Sequence, residues 1–252
     1  MVVLAAVAAV AVEAAPPEGG DMRTLAEKFF SRHEAERVKA AVTQAEAGTS
    51  GEIVVMVVSA SHTYPAAHLR AALLLSFPLA LVLAYVFARL LWWPGDLLWL
   101  FLAVFCVAFL AFHLCLPVAP WLWRWFITPG QATAEVEREA LLSFYSENLH
   151  HTRQATGVLV FISVLERRVW ILADSGINAV LPPSTWQELV QELVSGIRGH
   201  EQGAATVRVV ERIGAMLAES FPPEPDDRNE LADLIIRKAH ARPRANHPLV
   251  IK

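Results

Sequence analysis

Two long stretches without a charged side chain, 71–88 and 97–123, constrain this chain more than anything else in it. Each meets the requirement of about 20 apolar residues for crossing the hydrocarbon core of a bilayer. Two such runs in close succession are predicted to form a transmembrane helical hairpin. Trp92, Trp93 and Trp99 flank the Pro94-Gly95-Asp96 turn, and Trp121, Trp123 and Trp125 flank the far end, as expected of aromatic belts at both interfaces. Pro78 is expected to kink the first helix, and Pro117 and Pro120 to bend or end the second. His113 is read as a lone neutral histidine near the interface, since neither span holds a carboxylate.

The hairpin accounts for the composition. The chain is 55% hydrophobic and 18% charged, against about a quarter charged in ordinary soluble domains. Removing the hairpin leaves roughly 190 residues, enough for one domain with its own core. A net charge of −4 provides no basic field, which sets nucleic-acid binding aside. Both cysteines, Cys106 and Cys115, fall in the second apolar run and form neither a disulfide framework nor a metal motif.

The organisation expected is a leader or mis-assigned start, without ordered structure, over 1–21; the first part of an α/β domain over 22–68; the hairpin over 69–126; the second part over 127–238; and a flexible tail over 239–252. In the leader nothing basic precedes Arg23, so a signal peptide is disfavoured against a start at Met22. Segments on either side of a hairpin share one side of the membrane. Arg70, Arg124 and Arg138 lie on that side, and Arg89 lies near the turn. The positive-inside rule therefore places the soluble part in the cytoplasm, on a bacterial plasma membrane.

Within that part, Ser31 to Glu34 form a capping box that opens a helix to about Ala47. Ile53–Val58, Gly157–Ser163 and Val169–Ala173 are β-branched or aliphatic runs that read as buried strands. The first two are expected to be parallel, through a crossover carrying the hairpin; the last two are expected to form an antiparallel pair. Helices are predicted from Thr128-Pro129 to about His151, from Pro182-Pro183 to about Gly199, from Gly203 to about Ser220, and after Asp227. The fold class is α/β, a small mixed sheet with flanking helices.

Several of these pieces, taken in order, look like the TPM-domain family. They are Thr49-Ser50-Gly51-Glu52 before the first strand, the Thr156-Gly157 to Arg168-Val169 hairpin, the Ala173-Asp174-Ser175-Gly176-Ile177 turn, and Phe221-Pro222 with Asn229-Glu230-Leu231. The chain resembles in particular the bacterial membrane branch with a helical hairpin inserted after the first strand. The resemblance spans about residues 24–238 and implies membrane association. Relatives in that family are linked to photosystem II repair, to acid phosphatase activity and to receptor assembly.

Candidate chemistry is sparse. Asp174, at the end of a strand, is a possible ligand for a divalent cation such as Ca2+ or Mg2+, alone or with Glu52. The competing reading is a helix cap. Glu166, Arg167 and Arg168 read as a solvated turn, the two arginines also as a contact for a partner or a lipid headgroup. Asp226 to Glu230 lack the ligand pattern of an EF-hand and read as a helix start. His150 and His151 are expected to point apart on a helix. No G-x-S-x-G, soluble cysteine or Walker loop is present. The expectation is therefore an accessory or assembly factor that binds a protein partner at the bilayer and is not an enzyme. A metal-assisted phosphatase using Glu52 and Asp174 is the alternative.

Overall fold

The structure, a computed structural model, describes residues 3–9, 24–90, 92, 95–116, 122, 124–152, 154–223 and 233–237. It divides into two compact units, one of residues 1–62 with 132–252 and the other Thr63–Gln131. The expected turn at Pro94, the bends at Pro117 and Pro120, Trp93, Trp121 and Trp123, the acidic run 226–230 and the tail 239–252 lie outside the described residues.

The first unit is built on a five-stranded sheet of order β1-β4-β3-β2-β5, formed by β1 (Val3–Ala9), β2 (Glu52–Val58), β3 (Gly157–Ser163), β4 (Arg168–Ala173) and β5 (Leu234–Arg237). β2 and β3 run parallel from the pair Glu52↔Gly157 to Val58↔Ser163, and β4 is antiparallel to β3. Both relations agree with the sequence reading. Two edge strands do not. Val3–Ala9, inside the stretch read as a leader, pairs antiparallel with β4. Leu234–Arg237, read as part of a helix after Asp227, is a strand parallel to β2. Leu234, Ile235 and Ile236 are consecutive β-branched or aliphatic residues, which suit a pleated edge as well as a helix.

Alternation along the strands gives the sheet two apolar faces. Ile53, Val55, Val57, Val158, Val160, Ile162, Val169 and Ile171 pack toward helices α2 (Arg32–Glu46), α7 (Pro183–Arg198) and α8 (Gln202–Ser220). Val54, Met56, Leu159, Phe161, Trp170 and Leu172 pack toward α5 (Pro129–Ser146) through Val136, Ala140 and Phe144. Strands covered on both sides read as continuous hydrophobic runs, which is why they were legible without a period of two. Each fully buried large side chain of this kind contributes about 1.5–3 kcal/mol. α7 starts at Pro183 and buries Trp186, Leu189, Val190, Leu193, Val194 and Ile197, the spacing of one helical face. α2 carries the predicted capping box: the Ser31 hydroxyl accepts from Glu34 N–H at 3.2 Å and Ser31 N–H donates to the Glu34 carboxylate at 2.8 Å. A five-residue helix, α1 (Leu25–Phe29), precedes it with a second capping box, Thr24 and Glu27.

The second unit holds α3 (Pro65–Leu90) and α4 (Leu97–Cys115), both long and apolar enough to cross a membrane. α3 continues through Pro78. Its Ala67, Ala71, Ser76, Ala80 and Ala84 recur every four or five residues and are buried, a row of small side chains that lets two helices approach closely. On α4, Phe101, Phe105, Phe109 and His113 stack in a ladder with ring centroids 6.0–6.2 Å apart. Phe77 meets Phe101 and Phe105 edge-on. Most other apolar side chains point outward. Only 6% of the most hydrophobic window of α4 and 28% of that of α3 is buried. Leu74, Leu81, Val82, Leu98, Val107 and Leu114 are exposed, as are Trp92 and Trp99 at one end and Trp125 at the other.

Candidate functional site

Glu52 and Asp174 lie at the same end of the sheet. Glu52 opens β2 beside Gly157, its N–H donating to Thr156 O at 3.3 Å, and Asp174 follows β4, its N–H donating to Gly157 O at 2.9 Å. Alternation puts Glu52 on the face of Val54 and Met56, and Asp174 on that of Trp170 and Leu172, which is the same face. They are two strand positions apart, roughly 10 Å between backbones. The strand between them carries Gly157, where a Cβ would fall 2.3 Å from Leu149 O. The Leu149 backbone therefore crosses the sheet between the two carboxylate positions.

Asp174 is buried, at 6% exposure. Its Oδ1 accepts from Ser175 N–H at 2.6 Å and from the Ser175 hydroxyl at 3.2 Å, capping the short helix α6 (Ser175–Asn178). The Asn178 amide closes that turn by donating to Ala173 O at 2.6 Å and Asp174 O at 3.0 Å. Among the described residues no three His, Cys, Asp or Glu side chains form a group that could hold a metal ion.

The segment over Gly157 departs from the sequence reading. The helix expected to reach His151 ends at Ser146; Asn148 turns left-handed with φ 60°, and Leu149–His151 form a single 3-10 turn. His150 and His151 consequently do not diverge as on an α-helix. Their rings touch, with centroids 4.1 Å apart and planes at 56°, and Tyr145 meets His150 edge-on at 5.0 Å. Burial pushes the His150 pKa below its ordinary value and the neighbouring His151 pushes it further, with Asp174 acting partly against both. A second left-handed residue, Ala155 with φ 54°, presents its carbonyl to Gly176 N–H at 3.0 Å. Only glycine fits there, because a Cβ on Gly176 would lie 2.2 Å from Gln154 O. No local pattern marked Asn148 or Ala155 as left-handed, so this loop was missed.

Nearby, the motifs behind the family resemblance converge. The Thr49 hydroxyl, buried, donates to Phe221 O at 2.7 Å and accepts from Gly51 N–H at 3.1 Å. Ser50 N–H also donates to Phe221 O, at 3.1 Å, and the Thr156 hydroxyl donates to Ser50 O at 3.2 Å. Thr49-Ser50-Gly51, Thr156-Gly157 and Phe221, far apart in sequence, are one hydrogen-bonded corner.

At the opposite end of the sheet, Glu166 is not part of a solvated turn. Its carboxylate accepts from Ser61 N–H at 2.9 Å and from the Ser163 hydroxyl, while the Ser61 hydroxyl lies 3.0 Å from that of Ser163. Both serines are buried, so the carboxylate ties the end of β2 to the β3–β4 turn. Arg167 stands on that turn with φ 53°, and Arg168 opens β4; both are half-buried. The turn spans a single short hairpin, and nothing local indicates that Ser61, in the segment after β2, would reach it.

Comparison with known proteins supports this architecture. Residues 128–216 match the family model described as TPM domain. No curated protein matches the chain. The NMR structure of BA42 protein from the psychrophilic bacterium Bizionia argentinensis superposes with a TM-score of 0.50 at 19% identity, covering 84% of this chain and 97% of that one. Identity that low speaks to fold alone, and the fold is the mixed sheet with flanking helices read from the sequence. The family match falls on α5, β3, β4, α6, α7 and most of α8, so this part of the chain is similar to a TPM domain.

Proposed function

We propose that this protein is a membrane-anchored accessory factor, a TPM-type domain held at the bacterial plasma membrane by α3 and α4, which binds a protein partner in membrane-protein assembly or turnover. The observation that carries the reading is the outward apolar surface of the two helices. A core helix of a soluble protein buries its apolar residues, whereas α4 leaves nearly all of its most hydrophobic window exposed. Arg70 fits the end of such a hairpin: its guanidinium donates to Phe126 O at 3.4 Å and Gln131 at 3.3 Å, next to the exposed Trp125. The balance of Arg70, Arg124 and Arg138 against Arg89 favours a cytoplasmic domain. Arg167 and Arg168, on an ordered turn, are the candidate contact for a partner or headgroup.

The alternative, a divalent-cation phosphatase using Glu52 and Asp174, draws on the acid phosphatase activity linked to the family that residues 128–216 resemble. It has less support, because Leu149 stands between the two residues and the Asp174 carboxylate already caps α6. A photo-crosslinking residue at Arg167 in living cells separates the readings. The accessory role predicts an adduct with a membrane protein and no phosphate release by the purified chain. Chelator-sensitive release of phosphate, abolished by Asp174→Asn and without any adduct, would replace it with the enzymatic reading.

A further inference from the structure

The two helices of the second unit leave a groove between them at the end where α3 finishes and α4 begins. It is lined by Leu81, Ala84 and Tyr85 of α3 and by Leu97, Leu98 and Phe101 of α4, and measures about 590 Å3. Its origin is local: Ala84 is buried where the helices meet, while Leu81, Tyr85, Leu97 and Leu98 around it are each more than half exposed. One small side chain among long ones makes a hollow. The volume falls within the range of about 300–1,000 Å3 typical of small-ligand sites. Apart from the Tyr85 hydroxyl the lining offers water no hydrogen-bonding side chain, and an apolar hollow of that kind is not held by water. Within a bilayer a hydrocarbon chain fills it.

Charges of both signs stand at the mouth. Arg89 follows Tyr85 by one turn on the same side of α3, and Asp96 directly precedes Leu97 at the start of α4. Both are exposed. The Asp96 side chain makes no capping hydrogen bond, so its carboxylate is not spent on the backbone of α4. Trp92 and Trp99, 90% and 70% exposed, mark this end as the level of the headgroups. An apolar groove that ends in one cation and one anion complements a zwitterionic phospholipid. The guanidinium suits its phosphate. The carboxylate suits a primary ammonium, whose N–H groups donate to it; the quaternary ammonium of a choline headgroup has none. A headgroup carrying only negative charge would set that charge beside Asp96.

We propose that this end of the hairpin is a binding site for one phospholipid with an ethanolamine headgroup. An acyl chain lies in the groove, the phosphate engages Arg89 and the ammonium engages Asp96. That the hairpin lies in a bilayer rests on the membrane-anchor reading above; the choice of lipid rests on the groove and the two charges at its rim.

The test is native mass spectrometry of the full-length protein in mild detergent, equilibrated separately with phosphatidylethanolamine, phosphatidylcholine and phosphatidylglycerol of identical acyl chains. The readout is the affinity for the first lipid retained. Phosphatidylethanolamine is expected to bind about tenfold more tightly than either of the others, the worth of one charge-assisted hydrogen bond. Two variants change only exposed side chains and so spare the fold. Asp96→Asn should abolish the preference and bring phosphatidylglycerol at least level with phosphatidylethanolamine. Arg89→Gln should weaken all three, because each carries the phosphate. Equal retention of the three lipids, an unchanged preference in Asp96→Asn, or a lipid-free dimer, which would assign the groove to a second copy of the chain, overturns the proposal. Any of these results with a chain that resists alkaline extraction from membranes retires the lipid site and leaves the anchor. A chain released by alkaline extraction retires the anchor, and the lipid site with it.

Discussion

Replacing Gly157 with alanine tests whether the Leu149 backbone really crosses the sheet between Glu52 and Asp174. The new Cβ would sit 2.3 Å from Leu149 O and 3.0 Å from Leu149 C, about 1 Å inside an ordinary contact, so one of the two backbones has to move. Neither moves easily: β3 is laddered to β2 and β4, and the Leu149 side chain is fully buried. Forced overpacking costs about 1–3 kcal/mol, and backbone atoms on both sides of the clash place this case at the upper end. Alanine recovers up to about 1 kcal/mol by restricting the unfolded chain. The net loss is then about 2 kcal/mol, or roughly 4–8 °C in the unfolding midpoint for a domain of this size. Calorimetry of the detergent-solubilised chain reads it out, with Gly130→Ala as control, since nothing lies within 4 Å of a Cβ there and the helix gains from alanine. A Gly157→Ala midpoint within 1 °C of wild type would refute the placement of Leu149.

Three further changes probe the corner and the cap. Thr49→Val removes a hydroxyl that both donates to Phe221 O and accepts from Gly51 N–H; urea titration should show a loss of about 1–3 kcal/mol. Asp174→Ala should cost about 1 kcal/mol as the loss of a helix cap, seen as faster hydrogen exchange confined to Ser175–Asn178; unchanged exchange there would argue that its carboxylate serves something other than α6. His150 has a folded pKa below its unfolded value of about 6.5. The unfolded chain therefore binds the proton first, and stability present above pH 6.5 is lost as pH falls through that value toward the folded pKa. His150→Gln should flatten the stability profile as pH falls below about 6.5.

The parts legible in the sequence were those where one local signal dominates. Two-sided burial made β2, β3 and β4 unmistakable aliphatic runs, Ser31 and Glu34 announced α2, and Pro183 announced α7. Charge-free length located α3 and α4, although α3 begins at Pro65, earlier than the apolar run itself. What stayed hidden depends on contacts distant in sequence. β5 joins the sheet by pairing with β2, and nothing local separates it from a helical turn. Glu166 looks like any charged turn residue until Ser61 arrives from the segment after β2. The ring contact of His150 with His151 follows from the left-handed turn at Asn148, a residue type that tolerates that conformation without advertising it. The Asp174 cap was legible because the reading needed only its immediate neighbours, Ser175 and Gly176.

The central proposal, that α3 and α4 anchor a TPM-like domain in the bilayer, is tested most directly by alkaline carbonate extraction of membranes from cells expressing the full chain, beside a variant in which residues 65–116 are replaced by a short Gly-Ser linker. The account predicts that the full chain stays in the membrane pellet and that the variant is released in folded form. Release of the full chain at alkaline pH would contradict it, and would mean that the apolar surfaces of the two helices are covered by protein instead of lipid.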